Sequence, residues 1–452
     1  MTRVIFLVGV IVLVALAASW LNANPGDVSV QWLGWRIDTS VAMLAFFVIL
    51  VTVLGAVGYH FWRSLRDAPG RFFDARRTRR NRLGYEALSS GMIAAAAGDS
   101  AEAQKQARRA ENLLADAGAT RLLRAQAARL GGDVSTARRT YEEMAENPDT
   151  ALIGLCGLLD QAEERGDKAE ALRLAEKAHR VNPRAQTVER RLFDLQIAFR
   201  QWAAADQTVS DGIRAKLFPA TEAKRWRAAI LIERSRQSEQ DGEIDAAFDF
   251  AREAHQLGAD DIPAAVQYGR LLSRQGKTKR AQRVLERIWS QQPHPEIAAA
   301  YATLFETENA LSRVKRFQRL LSFRPDHADG HVALAQAALE AALWGEARAH
   351  LAQAAEKGLT PRVCRLFAEL EEAEHGDDRA ARRWLEKAAM ADGDAAWVCD
   401  ACGAASGSWS ALCGNCGAFD TLQWLPPRRG LALPPGETVV ALPSSRAEAE
   451  SA

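Results

Sequence analysis

The first sixty residues are patterned for lipid. Val4 to Leu21 contains no charged residue, and an 18-residue apolar run is long enough to cross a bilayer core as a helix. Arg3 in front of it would also suit a secretory signal. However, the apolar run continues through Trp20 and Leu21, past Ala17-Ala18-Ser19 where cleavage would fall. A second run extends from Val41 to about Trp62 without Asp, Glu, Lys or Arg, and Tyr59, Phe61 and Trp62 close it with rings suited to a membrane surface. These runs predict a two-helix anchor over residues 1–62, with spans at about 4–21 and 41–62. Val28, Val30, Trp32 and Leu33, between the spans, predict a short extended hairpin.

Charge then sets the orientation. Residues 63–84 form a juxtamembrane segment carrying Arg63, Arg66, Arg71, Arg76, Arg77, Arg79, Arg80 and Arg82 against Asp67 and Asp74. Positive charge beside a span stays in the cytoplasm, which predicts a multi-pass bacterial inner-membrane protein with both termini inside and the hairpin periplasmic. The same arginines suit anionic headgroups, each contributing about 1 kcal/mol near the surface. The formal charge of the chain is only +1, and no aromatic or groove-reading pattern accompanies the arginines, so nucleic acid is not an expected partner.

Beyond residue 85 the pattern changes to a repeat. Gly98-Asp99, Gly132-Asp133 and Gly166-Asp167 stand 34 residues apart, and Arg200-Gln201-Trp202 takes the next step as a divergent copy. Gly242-Glu243 follows after an insertion of about eight residues, then Gly276-Lys277, a weak copy near Glu308, Ala342, and Gly376-Asp377. Five residues after these anchors come Ala103, Ala137, Ala171, Ala205, Ala247, Ala281, Ala347 and Ala381. Twelve after come Ala110, Ala178, Ala254, Ala354 and Ala388, and Pro183, Pro293 and Pro325 fall seventeen after. The Gly-Asp step ends one helix and caps the next, the alanines let antiparallel helices approach closely, and the prolines stop the second helix. A helix–turn–helix unit of this length with these small positions is the tetratricopeptide repeat (TPR) pattern. It predicts an α-solenoid over residues 85–391 whose groove holds partner proteins. Few prolines and an Ala/Leu-rich composition agree with an all-α fold class.

Candidate chemistry is confined to the C-terminal part. Four of the six cysteines, Cys399, Cys402, Cys413 and Cys416, form two CxxC pairs within residues 396–425. Such pairs point their sulfurs at one centre and predict a zinc-ribbon or rubredoxin-like knuckle. Structural Zn2+ is the expected metal, with rubredoxin-like iron as the alternative and dithiol redox chemistry behind both. Trp397, Trp409, Phe419 and Trp424 are expected to pack a small core around it, and the Pro-rich tail, 426–452, is expected to be disordered. Cys156 and Cys364 lie in repeat helices as small core residues. The chain has no Gly-rich phosphate loop, GxSxG or HExxH motif, so no catalytic and no cofactor-binding residues are assigned.

The order of parts resembles the HemY family of proteobacterial inner-membrane TPR proteins. The resemblance is carried by the two spans, the stretch from Arg63 to Arg82, Ala87-Leu88 and Gly98-Asp99. It implies a non-catalytic scaffold or assembly factor associated with heme (porphyrin) biosynthesis, with heme-pathway enzymes as partners. The knuckle resembles the rubredoxin-type domain of LapB-like proteins. That resemblance implies, as the second reading, an adaptor that regulates lipopolysaccharide assembly by recruiting proteins, and a knuckle packed back against the repeats.

Overall fold

The computed structural model describes Val12, Leu16, Ser19 and Trp20 and residues 26–32, 35–114, 117–258, 260–305 and 308–425. The first predicted span, 4–21, lies outside these residues apart from those four positions, and the tail 426–452 lies wholly outside them. The chain divides into two compact units, residues 1–140 and 141–452.

In the first unit the expected hairpin is present. Strands β1 (Asp27–Trp32) and β2 (Trp35–Ser40) pair antiparallel with Trp32 opposite Trp35. Ser40 then caps helix α1 (Val41–Ala96), its hydroxyl accepting from the Met43 N–H at 3.4 Å. At 1.5 Å per residue this 56-residue helix is about 84 Å long. Residues 43–62 of α1 are the one stretch among the described residues long and apolar enough to cross a membrane, so a multi-pass anchor is not supported. Phe46, Phe47, Ile49 and Leu54 stand exposed around it, a surface suited to lipid. The same helix continues through the arginine-rich stretch into the first repeat, with no change of element. One arginine assigned to lipid headgroups has another role. Arg80 donates to the carbonyls of Asn112 (2.7 Å) and Leu113 (3.1 Å), the otherwise unpaired end of helix α2 (Ser100–Leu113). Helices α3 (Ala117–Leu130) and α4 (Val134–Glu146) follow. Gly91 lets α1 approach α3, because a Cβ there would lie 2.5 Å from Leu123.

In the second unit the helices run in antiparallel pairs: α5 (Ala151–Glu164) with α6 (Lys168–Val181), α7 (Gln186–Ala198) with α8 (Trp202–Arg214), α9 (Ala220–Gln240) with α10 (Ile244–Leu257), and α11 (Ile262–Arg274) with α12 (Thr278–Gln291). The short α13 (Pro295–Ala302) precedes α14 (Ala310–Ser322), then come α15 (Ala328–Glu340) with α16 (Trp344–Lys357), and α17 (Pro361–His375) with α18 (Asp378–Met390). The anchors read from the sequence sit at the turns within pairs. Gly166, Gly242, Gly276 and Gly376 all take positive φ, and so do the divergent copies Arg200 (φ 54°) and Ala342 (φ 55°). The alanine five residues on is fully buried at Ala171, Ala205, Ala247, Ala281 and Ala347. At the weak copy near Glu308 the alanine position is taken by Arg313, and the next residue, Val314, is buried. The eight-residue insertion lengthens α9 to 21 residues, against 13 or 14 in most repeat helices. After α18 a small antiparallel sheet, in the order β4 (Ala405–Ser406), β3 (Ala396–Cys399), β5 (Leu422–Leu425), forms the knuckle.

Candidate metal centre and its seat on the repeats

Two copies of one turn build the knuckle. In each, the glycine after the second cysteine has positive φ, +72° at Gly403 and +71° at Gly417. Each glycine N–H donates to the carbonyl of the first cysteine, Gly403 to Cys399 at 2.8 Å and Gly417 to Cys413 at 2.9 Å. The N–H of the first cysteine donates onward, Cys399 to Ala404 (2.8 Å) and Cys413 to Ala418 (2.9 Å). This fold-back turns both sulfurs of a pair to the same side.

All four sulfurs lie within 4.8 Å of one another. The Cys399–Cys416 and Cys402–Cys413 sulfurs are each 3.7 Å apart, and all four thiols are free. Four sulfurs at 2.3 Å from a tetrahedral metal stand about 3.8 Å from one another, whereas a disulfide would bring two of them to about 2.0 Å. The four cysteines therefore can hold a metal ion. The Asn415 amide donates to the Cys402 sulfur at 3.6 Å, and the Thr421 hydroxyl lies 3.1 Å from that of Cys399.

The cluster's electrostatics favour one thiolate held by its neighbours. Burial pushes the Cys402 thiol up, but the Ala404 N–H, the Asn415 amide and the thiols of Cys416 and Cys399 together bring it down to about 6. Cys416 is pushed up to about 12, first by burial and then by the anionic neighbours it would have to face. Cys413 is raised for the same reasons. A divalent cation placed among these sulfurs removes that mutual penalty, so metal uptake should release protons.

The aromatic residues expected to pack around the cysteines do share a core with Cys399, Cys402 and Cys413, and they also grip the repeats. The Trp397 indole N–H donates to Glu296 Oε1 at 2.7 Å, and the Trp409 N–H reaches the same oxygen at 3.4 Å. Ala411 donates its N–H to Glu233 Oε1 at 3.1 Å, and Arg236 donates to the Trp409 carbonyl at 3.3 Å. Arg225 pairs with Asp420 at 2.6 Å. Phe419 meets Phe193 edge-on at 5.6 Å, and the Trp424 ring lies 4.2 Å from that of His294. Trp397, Trp409, Cys399 and Cys413 thus share one core with Phe193, Ile197, Trp226 and Ala264 of the repeats. The knuckle does pack back against the repeats.

Sequence reasoning did not single out Glu233, Glu296, Arg225, Arg236 or His294. The available signal was the insertion before Gly242, since the lengthened start of α9 supplies Arg225 and Trp226. Cys156 and Cys364 lie apart from the cluster, and burial pushes both thiols up, as expected of inert core residues.

Comparison with known proteins agrees with this division. Residues 26–132 match the family described as HemY protein N-terminus, and residues 239–304 match a tetratricopeptide repeat family. The chain is 28% identical over 446 residues to the "Probable magnetosome protein Mms48" of Magnetospirillum gryphiswaldense, covering 96% of each. Among solved structures, YrrB, described as a TPR protein with an unusual peptide-binding site, is 15% identical over 42% of this chain and 95% of its own (TM-score 0.28). The Naa15/Naa10 complex with HypK-THB is 11% identical over 68% of this chain and 58% of that one (TM-score 0.35). TM-scores this low carry no argument about the fold. The chain thus carries a HemY N-terminal domain and tetratricopeptide repeats, followed by a C-terminal four-cysteine cluster that can hold a metal.

Proposed function

We propose that this chain is a non-catalytic scaffold of the bacterial inner membrane that gathers proteins of heme (porphyrin) biosynthesis through its repeats, the repeats facing the cytoplasm. The observation that carries the reading is α1: one helix contains the apolar 43–62 stretch and goes on to form the first helix of the first repeat. A binding array whose first helix is also its anchor keeps bound partners at the bilayer. The match of residues 26–132 to the HemY N-terminus directs the choice of partner. Cys399, Cys402, Cys413 and Cys416 would hold a structural Zn2+, which supplies folding free energy rather than catalysis because all four positions are filled by thiolates. A photo-crosslinking residue placed at exposed Arg190, in cells, should capture tetrapyrrole enzymes. Capture that yields only unrelated proteins would sink the heme assignment.

The docked knuckle favours a second reading, a LapB-like adaptor for lipopolysaccharide assembly. Under that reading the same experiment yields an envelope protease or lipopolysaccharide-assembly protein.

A further inference from the structure

Stacked helix pairs bind their ligands mainly across the curved surface that their repetition creates. In this chain the knuckle lies against the first helices of three central pairs, α7, α9 and α13. Its partners are Phe193 on α7, Arg225, Glu233 and Arg236 on α9, Glu296 on α13, and His294, the cap of α13. Each belongs to the first helix of its pair or to that helix's cap. None of these hydrogen bonds, ion pairs or ring contacts involves a second helix. The seat mixes aromatic faces with two carboxylates, Glu233 and Glu296, that accept N–H donors, and two arginines that take an acid and a carbonyl.

The groups that fill this seat are tied to the sulfur cluster. Trp397 lies two residues before Cys399 on strand β3, opposite Trp424 of β5. Ala411 lies two residues before Cys413, and its carbonyl accepts from the Asp420 N–H at 2.8 Å. Phe419 and Asp420 follow Cys416 by three and four residues. A unit of about thirty residues with so small a sheet does not hold its shape without its staple. When the sulfurs separate, the indole, the peptide N–H and the acid leave their places together.

We propose that the knuckle is a metal-locked internal ligand of the central repeats: a bound metal keeps it seated across α7, α9 and α13, and metal loss opens that surface to a protein segment bearing aromatic and acidic side chains. This inference rests on the metal reading above. The partner chemistry follows from what the knuckle presents, an indole N–H and rings to Glu296 and Phe193 and an acid to Arg225.

Carboxyl footprinting tests it on the full chain in detergent, with carbodiimide and glycine ethyl ester as the probe and metal content measured on the same samples. Glu296 and Glu233 should label weakly in the zinc-loaded chain, severalfold more after chelation under reducing conditions, and weakly again once zinc is restored. Glu189, buried between α6 and α7 away from the knuckle, should stay unlabelled throughout. The double variant C399S/C402S should label like the chelated protein with or without zinc, at unchanged helical circular dichroism. Continued protection of Glu296 and Glu233 after verified metal loss overturns the lock and leaves the metal reading standing. Labelling of Glu189 in parallel with them overturns it as well, because the repeats would then be unfolding rather than opening. A chain that takes up no metal overturns both the lock and the metal reading.

Discussion

Burial pushes the Asp261 carboxyl up to about 7, and the nearby Asp420 and Glu296 carboxylates push in the same direction. A folded state that keeps a proton the unfolded chain has lost is penalised as pH rises through that interval. Stability is therefore lost between about pH 4 and pH 7, and the loss levels off above. Asp261→Asn keeps the size of the side chain at the N-terminus of α11 and removes the charge. Its thermal midpoint should exceed that of the parent by a margin that grows from pH 5 to pH 7 at constant zinc. A constant margin would show that Asp261 titrates normally. At the cluster, zinc-loaded protein should be colourless, with one metal per chain and proton release on uptake. A red protein with a ferric–thiolate absorption band would replace zinc with iron. The four-cysteine cluster was legible in the sequence because short spacing alone brings paired sulfurs together. Glu233 and Glu296 were not, because their knuckle partners stand more than a hundred residues away and a lone Glu on a helix has no local signature.

Helix by helix, the turns carry the clearest energetics. Arg200 and Ala342 hold left-handed backbone where most repeats use glycine. That conformation costs a side chain with a Cβ roughly 1 kcal/mol, so Arg200→Gly and Ala342→Gly should each stabilise by up to about that amount in chemical unfolding. Destabilisation by both would mean that their side chains contribute more than the backbone strain costs. Ala281→Leu should do the reverse, losing roughly 1–3 kcal/mol because the site where α11 and α12 meet is fully buried and has no room for three more carbons. A neutral result would show that the pair spreads freely. The 34-residue spacing made these elements legible because turn chemistry and close packing recur in register. The small hairpin was also legible, from β-branched and aromatic residues alternating between two apolar runs. The continuity of α1 was less so. The arginines from Arg63 to Arg82 read as a separate zone by charge alone, yet they lie on the helix that enters the first repeat, and Arg80 caps α2.

For the molecule as a whole, sequence and structure agree on a long apolar stretch over 43–62, a repeat array and a cysteine knuckle, while the two-span anchor is not supported. The seating of the knuckle on the repeats was implied by the LapB-like resemblance, but which helices it meets is a tertiary property, signalled in the residues themselves only by the lengthening of α9. The central claim is that a membrane-held repeat array works in the cytoplasm, where reduced thiols can hold a metal. The most direct measurement labels intact cells with a membrane-impermeant thiol reagent after placing single cysteines at Ser29 in the hairpin and Ser89 in the first repeat, both exposed. The account predicts that Ser29→Cys is labelled from outside and that Ser89→Cys is reached only after the cells are permeabilised. Labelling of Ser89→Cys in intact cells would contradict it.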